Sequence, residues 1–361
     1  MTNASGKTGA FQISVQPSGR SFSADVGEGI LAAAIRQGIG MPYGCKDGAC
    51  GSCKCKMLEG TVVHGAHQTK ALNAEEEAAG YILTCCAVPQ TDIVIESRQV
   101  TDESGFPVRK MPSRVLSLEK KSHDVMIVKL QLPANDTMRF HAGQYVEFIL
   151  RDGARRSYSM ANAPHTMAPA AGTSTAPQPA IELHVRHMPG GKFTDHVFTA
   201  MKEKEILRVE GPYGSFYLRE DSDKPIIFLA SGTGFAPIKA VIEHMQFKDI
   251  RRPAILYWGG RRPADLYLDD WVRERMADMP QLKYVPVISN ALPEDNWTGR
   301  TGFVHKAVLE DFPDLSGHQV YACGAPIVVD SARAEYSDLA KLPPDEFYAD
   351  AFTTEADKHG S

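Results

Sequence analysis

YGCKDGACGSC, Tyr43–Cys53, holds three cysteines and three glycines in one short run with neither helical nor strand periodicity. Cys45, Cys50 and Cys53 read C-x4-C-x2-C, and the chain has seven cysteines, four of them between Cys45 and Cys55. Thiols that crowded point to metal or redox chemistry rather than to a disulfide framework.

Spacing separates the metals. Zinc is held by pairs of tight C-x2-C knuckles, whereas here the first gap is four residues and a distal thiol lies far downstream, in "YILTCCAVPQTD". A C-x4-C-x2-C run with a remote fourth cysteine is the plant-type [2Fe–2S] pattern. Gly44, Gly48 and Gly51 suit a loop whose backbone N–H groups turn toward sulfur and offset the negative charge of the cluster. Either Cys85 or Cys86 supplies the distal thiol, and a zinc knuckle or buried structural thiols remain the competing reading.

The rest of the chain bounds the answer. With 361 residues there is room for two or three domains, and the net charge of −5 argues against nucleic acid as the main partner. "MTNASGKTGAF" has no apolar segment of a secretory signal, and no run approaches the length of a membrane span, so a cytoplasmic protein with no membrane or nucleic-acid partner is expected. "FQISVQ" and "SFSADV" read as short strands, "GILAAAIRQG" as a helix stopped by Gly38, and "TDIVIESRQV" as a closing strand. The acidic run Glu75–Glu77 reads as a solvated helix start.

At "LTCCAVPQTD" the chain resembles plant-type ferredoxins. The resemblance implies Cys45, Cys50, Cys53 and Cys85 as the four ligands, with Cys55 and Cys86 as packing residues, on a β-grasp fold over residues 9–100. Residues 101–112, polar with Gly and Pro, read as a linker. Alternating segments follow and suggest an antiparallel barrel, interrupted by the Pro/Ala/Ser/Thr-rich stretch from His165 to Ala180, a surface insertion.

Just before that insertion "RRSYSMANAP" carries R-x-Y-S at Arg156, Tyr158 and Ser159, resembling the flavin signature of the ferredoxin–NADP reductase superfamily. A guanidinium suits a pyrophosphate, a phenol offers a flat face to the flavin, and a hydroxyl can bond the edge where hydride arrives. "HVRHMPGGKFTDHVF" adds Gly190, Gly191 and Thr194, donors for a phosphate at a helix start. His184 and His187 read as strand-surface residues. The resemblance favours FAD over FMN, on an antiparallel β-barrel covering 113–222.

"KPIIFLASGTGFAPIKAVIEHM" is a buried strand, a glycine turn and a helix with apolar Ile238, Val241, Ile242 and Met245 at helical spacing. Strand, glycine turn and helix cradle a dinucleotide phosphate. Gly232, Thr233, Gly234 and Pro237 match the superfamily's G-T-G-x-A-P form, and Cys323 and Gly324 its motif near the nicotinamide. Cys323 touches the reacting carbon or is plain core. Phe352 is the candidate aromatic that stacks on the flavin. A parallel-sheet nicotinamide domain over 223–361 is implied. Asn290 after Ser289, with Glu294 and Asp295 beyond, favours NADH; Arg261 and Arg262 keep NADPH open.

Three motif sets in this order resemble the three-domain, oxygenase-type reductases of the ferredoxin–NAD(P)H reductase superfamily, and within them the CDP-6-deoxy-glucoseen reductase group. The fold class implied is multidomain, α+β and α/β. The activity implied is an NAD(P)H:acceptor oxidoreductase: NADH gives hydride to FAD, and single electrons leave through the [2Fe–2S] cluster to a partner, an oxygenase component or a pyridoxamine-phosphate-dependent sugar dehydrase. The alternative is a flavoprotein with a regulatory zinc- or thiol-sensing N-terminal module.

Overall fold

A computed structural model describes residues 9–100, 106–133, 138–167 and 179–353. The chain divides into two compact units that part at Phe106–Pro107.

The first unit contains β1 (Phe11–Gln16), β2 (Arg20–Ala24), α1 (Ile30–Arg36), β3 (Lys54–Glu59), β4 (Val62–His64), α2 (Ala74–Ala78), β5 (Tyr81–Leu83), β6 (Ala87–Pro89) and β7 (Ile93–Glu96). Its sheet runs β2-β1-β7-β3-β5, with β1 and β7 parallel and the other pairs antiparallel; β4 and β6 form a separate ribbon. Helix α1 turns Ile30, Leu31, Ala33 and Ala34 inward. It ends where Gly38 takes φ +71°, which lets the Ile39 N–H reach back to the Ala34 carbonyl at 2.9 Å. The acidic run is the first turn of α2, capped by Asn73 and Glu76 in a reciprocal box, and Glu76 and Glu77 pair with Lys54 and His64.

The second unit opens with β8 (Arg109–Lys120), β9 (Val125–Gln131), β10 (Tyr145–Ile149), β11 (Arg155–Ser159), β12 (Ala180–Arg186), α3 (Lys192–Thr199) and β13 (Ile206–Tyr213). These strands form an antiparallel sheet, β11-β10-β13-β8-β9-β12. Its two edges meet through a Met160–Leu183 bridge and an Ala161 N–H bond to the Glu182 carbonyl at 2.7 Å, which closes the barrel. Strand β8 starts inside the stretch whose polar residues and proline read as linker. The period-2 pattern explains why: Met111, Ser113 and Val115 face the core while Lys110, Pro112 and Arg114 face out. Of the insertion, Pro164–Met167 form a short 3-10 turn, and residues 168–178 lie outside the described residues.

The same unit continues with β14 (Ile226–Ser231), α4 (Phe235–Phe247), β15 (Ala254–Gly260), α5 (Asp269–Asp278), β16 (Leu282–Ile288), β17 (Arg300–Thr301), α6 (Val304–Asp311), β18 (Gln319–Gly324), α7 (Pro326–Ala340) and β19 (Phe347–Ala351). All six strands are parallel, in the order β17-β16-β15-β14-β18-β19. Strand β14 is buried on both faces, and α4 lays Ile238, Val241, Ile242 and Met245 on it.

Barrel and parallel sheet are joined by a buried polar network. Lys239 of α4 lies 2.6 Å from Glu243 and 3.1 Å from Glu182 of β12, and donates to the Ala161 carbonyl at 3.0 Å. His184 bonds Glu182 through Nε2 at 3.0 Å and the Tyr267 hydroxyl through Nδ1 at 2.7 Å. His184, expected on the strand surface, is therefore buried: the sheet that covers it is built some forty residues later and more.

Burial pulls the Glu182 carboxyl up, but His184 and Lys239 outweigh it and hold the group at about 2. Burial also pushes the His184 imidazole down. Both groups bind protons more readily when unfolded. Their stabilisation is whole above pH 6.5, the ordinary histidine value, and falls away in acid, the Glu182 part between 4.5 and about 2. The denaturation midpoint of this unit is expected to drop steadily from pH 7 to 3; a flat profile would refute the network's role. Lys239→Ala should cost roughly 3 kcal/mol or more, because it strands two carboxylates. All three tryptophans, Trp258, Trp271 and Trp297, lie in the parallel-sheet region and report that loss in urea.

Candidate functional site

Three constellations carry the chemistry. In the first unit, the loop between α1 and β3 brings Cys45, Cys50 and Cys53 near the turn between β5 and β6, which holds Cys85 and Cys86. The Cys53 and Cys85 sulfurs are 3.2 Å apart. The Cys45 sulfur accepts N–H bonds from Ala49 and Cys50, both at 3.3 Å, and the Cys45 N–H points at the Cys50 sulfur at 3.4 Å. Gly48, at φ +77°, makes this wrap possible: a Cβ there would stand 2.7 Å from the Cys86 sulfur.

Crowding shows in the protonation of these thiols. The Cys45 thiol is pushed far up by its hydrogen bond with Cys50 and by burial, and the Cys85 thiol by Cys53, Cys86 and burial. The Cys50 thiol is pulled down by the same bond to Cys45. Thiolates this close repel one another unless cations replace the protons. Convergent sulfurs with backbone N–H groups aimed at them fit an iron–sulfur cluster. Cys85 faces Cys53; the Cys86 sulfur lies 3.6 Å from that of Cys85 and 3.5 Å from the Ala66 carbonyl, outside the pair. Cys55 is buried in β3 and pushed up by burial.

The second constellation is on the barrel. Arg156 and Tyr158 share one face of β11, with Ser159 at its end. The Tyr158 ring leans on Phe148 and Phe193 at 5.8 and 5.4 Å. Gly190, at φ +82°, has open space where a side chain would stand, and Gly191 caps the start of α3. Space at a helix start beside an arginine and a tyrosine fits a flavin pyrophosphate and its ring. The Thr194 hydroxyl donates to the Met188 carbonyl at 2.9 Å and accepts the Met188 N–H at 3.2 Å. What reads as a phosphate donor is here a lock on the glycine turn.

The third lies where β14 and β18, neighbours in the sheet, diverge in topology, the place where parallel sheets open a crevice. Gly232–Gly234 form a tight turn and Pro237 sits in the first turn of α4. A Cβ on Gly234 would run into the Cys323 carbonyl, and one on Gly324, at φ +127°, into Ser231. These two glycines let the backbones meet. Cys323 is fully buried, and burial first, then Asp350, pushes its thiol up. Thr233 is buried within the turn.

Barrel and sheet sites share a boundary. The Ser159 hydroxyl donates to the Asp350 carboxylate at 3.1 Å, a pair separated by 191 positions in sequence. Asp350 is opposite Cys323 in the β18–β19 ladder, and the Phe352 N–H bonds the Gly324 carbonyl at 2.8 Å. Ser159, Cys323, Gly324 and Phe352 are thus gathered at one end of β18. Sequence reading missed Asp350, whose only local signal is a carboxylate two residues before the expected aromatic. It also missed Arg186, whose guanidinium would stand 3.0 Å from a Cβ at Gly232, a cation above the glycine turn.

Comparison with known proteins agrees in order and extent. Residues 13–90 match the 2Fe-2S iron-sulfur cluster binding domain, 112–217 the oxidoreductase FAD-binding domain and 228–334 the oxidoreductase NAD-binding domain. The chain is 39% identical over 343 residues to the CDP-6-deoxy-L-threo-D-glycero-4-hexulose-3-dehydrase reductase of Yersinia pseudotuberculosis, covering 95% of this chain and 98% of that one. It is 34% identical to terephthalate 1,2-dioxygenase reductase component 2 of a Comamonas species, over 95% and 97% of the two chains. Among solved structures, the Amycolatopsis cytochrome P450 reductase GcoB matches with a TM-score of 0.75 at 32% identity, over 95% of this chain and 99% of that one.

Cys85→Ser is expected to strip most iron, sulfide and visible absorption from the purified protein, while Cys86→Ser keeps them; equal loss in both would reassign the fourth ligand. Gly234→Ala should weaken dinucleotide binding at least about tenfold in an equilibrium titration, since the turn must move off β18.

Proposed function

Because the chain belongs to the ferredoxin–NAD(P)H reductase superfamily, as a three-domain reductase with an N-terminal [2Fe–2S] ferredoxin, we propose that it takes electron pairs from NADH and hands single electrons to a partner protein. A bound flavin accepts a hydride and returns its electrons one at a time, which an iron–sulfur cluster can carry.

The chain's own residues supply position and electrostatics. In this reading Arg156 holds the flavin pyrophosphate with the α3 start at Gly190 and Gly191, the turn fixed by Thr194. Tyr158, wedged by Phe148 and Phe193, presents its ring to the flavin. Gly232, Thr233, Gly234 and Pro237 receive the dinucleotide phosphates. Ser159 offers its hydroxyl at the reacting edge, oriented by Asp350. Cys323 lines the nicotinamide side as a neutral thiol, and Phe352 covers the flavin until nicotinamide enters. Cys45, Cys50, Cys53 and Cys85 hold the cluster, whose charge the Ala49 and Cys50 N–H groups offset.

One observation carries the reading: the Ser159–Asp350 bond puts the end of the flavin strand at the carboxyl edge of the nicotinamide sheet. Reacting rings bound at the two sites would meet there. The domain limits that go with it are 9–100, 109–222 and 223–361, the barrel beginning with β8 at Arg109 rather than at the expected 113. A regulatory zinc module is not favoured, because the N-terminal region matches a 2Fe-2S domain.

The partner is an electron acceptor. Two acceptor classes follow from the relatives' names: a dehydrase acting on a nucleotide-linked deoxysugar, the first candidate at 39% identity, and an oxygenase component. A cytoplasmic setting accords with seven free thiols and a nicotinamide donor. Among the described residues no helix is long and apolar enough to cross a membrane.

Anaerobic titration with NADH should bleach flavin and cluster bands together, and Cys50→Ser should leave flavin reduction while abolishing single-electron output. Holoprotein without iron and sulfide, or one-electron output that survives Cys50→Ser, would overturn the reading. Ser159→Ala is expected to slow flavin reduction about a hundredfold in stopped flow with little change in NADH affinity.

A further inference from the structure

The glycine turn at the end of β14 leaves the far end of a bound dinucleotide two strands to cross. The strand order β16-β15-β14 runs away from β18, so the adenosine of a bound dinucleotide would lie over the carboxyl ends of β15 and β16. Two arginines, Arg261 and Arg262, directly follow β15. By charge alone that turn would receive the 2′-phosphate of NADPH.

Arg262 is already engaged. Its Nε and Nη2 each lie 2.7 Å from an oxygen of Asp295, in the turn after β16, and Nη2 is 3.6 Å from Glu294. Asp295 is itself anchored, accepting the Leu292 N–H at 2.9 Å, and is only 15% exposed against 34% for Arg262. A third carboxylate, Asp265, accepts the backbone N–H groups of both Arg261 and Arg262 at 2.8 and 3.0 Å. Two carboxylates therefore face one guanidinium, whose planar fork is filled by Asp295 as a two-pronged partner, while Asp265 holds the backbone that carries it.

We propose that the Arg262–Asp295 pair is a specificity lock: Asp295 occupies the cation that would bind a 2′-phosphate, and this makes the site select NADH over NADPH. The proposal rests on the dinucleotide site described above. A 2′-phosphate arriving at Arg262 meets the carboxylates of Asp295 and Glu294, and like charges repel it. A 2′-hydroxyl carries no charge and suffers no such penalty.

The test is a ratio. In the holoenzyme, Asp295→Ala is expected to raise kcat/KM for NADPH relative to NADH about tenfold or more, the size of one freed charge-assisted contact. The affinity for 2′,5′-ADP relative to 5′-AMP should rise by a similar factor in equilibrium titration, a readout independent of flavin reduction. Asp295→Asn keeps an acceptor for the Leu292 N–H and should move both ratios the same way, and it carries the test if the alanine variant does not fold. Adding Arg262→Ala should return both ratios to the starting value. A ratio unchanged within about twofold, or a gain that survives loss of Arg262, overturns the lock while NADH reduction leaves the dinucleotide site standing. Failure of both dinucleotides to reduce the holoenzyme would overturn that site, and the lock with it.

Discussion

One ammonium group, on Lys239, is shared by carboxylates of two separately built sheets. Glu182 belongs to a barrel strand and Glu243 to the helix that packs on the parallel sheet, and neither could be buried without that cation. Its ties also include the Ala161 carbonyl and lie beside the Trp271 ring, at 5.2 Å. Around it His184 and Tyr267 complete a set of bonds in which every charge has a partner. The consequence is geometric: barrel and sheet are held in one relation, and the bond between Ser159 and Asp350 can form at a fixed place.

The iron–sulfur loop solves a different problem. Four thiols must approach closely although their anions repel, and the chain manages this with glycine backbone rather than side chains. Positive φ at Gly48 and Gly51 turns successive N–H groups inward and leaves no Cβ in the way. The missing Cβ serves again at Gly234 and Gly324, where it lets the turn after β14 and the end of β18 approach backbone to backbone. Electron carriers need both: donors aimed at charge, and backbone close enough to deliver them.

Legibility followed sequence range. The C-x4-C-x2-C run, the glycine turn and the buried face of α4 each lie within a few residues and could be picked out from local spacing, whereas Cys85 and the R-x-Y-S strand came from the family resemblance. Thr194 was read as a phosphate donor, and its hydroxyl bonds the Met188 backbone within the turn. His184 was read as a strand-surface residue because no metal-ligand set stands beside it in sequence, yet Tyr267, from the turn before α5, bonds it in the interior. The start of β8 was hidden by two basic residues and a proline, all of which point outward.

The sequence by itself determined the cofactors and their order along the chain, because iron, flavin and phosphate each demand a characteristic local arrangement of sulfur, hydroxyl, guanidinium and glycine. Tertiary structure alone decided which charges are free. Arg262 is a phosphate receptor on paper and a neutralised pair in space; Asp350 is an ordinary strand residue on paper and the partner of Ser159 in space. Electrostatic availability depends on the nearest opposite charge, and in a folded chain that neighbour comes from anywhere in the sequence.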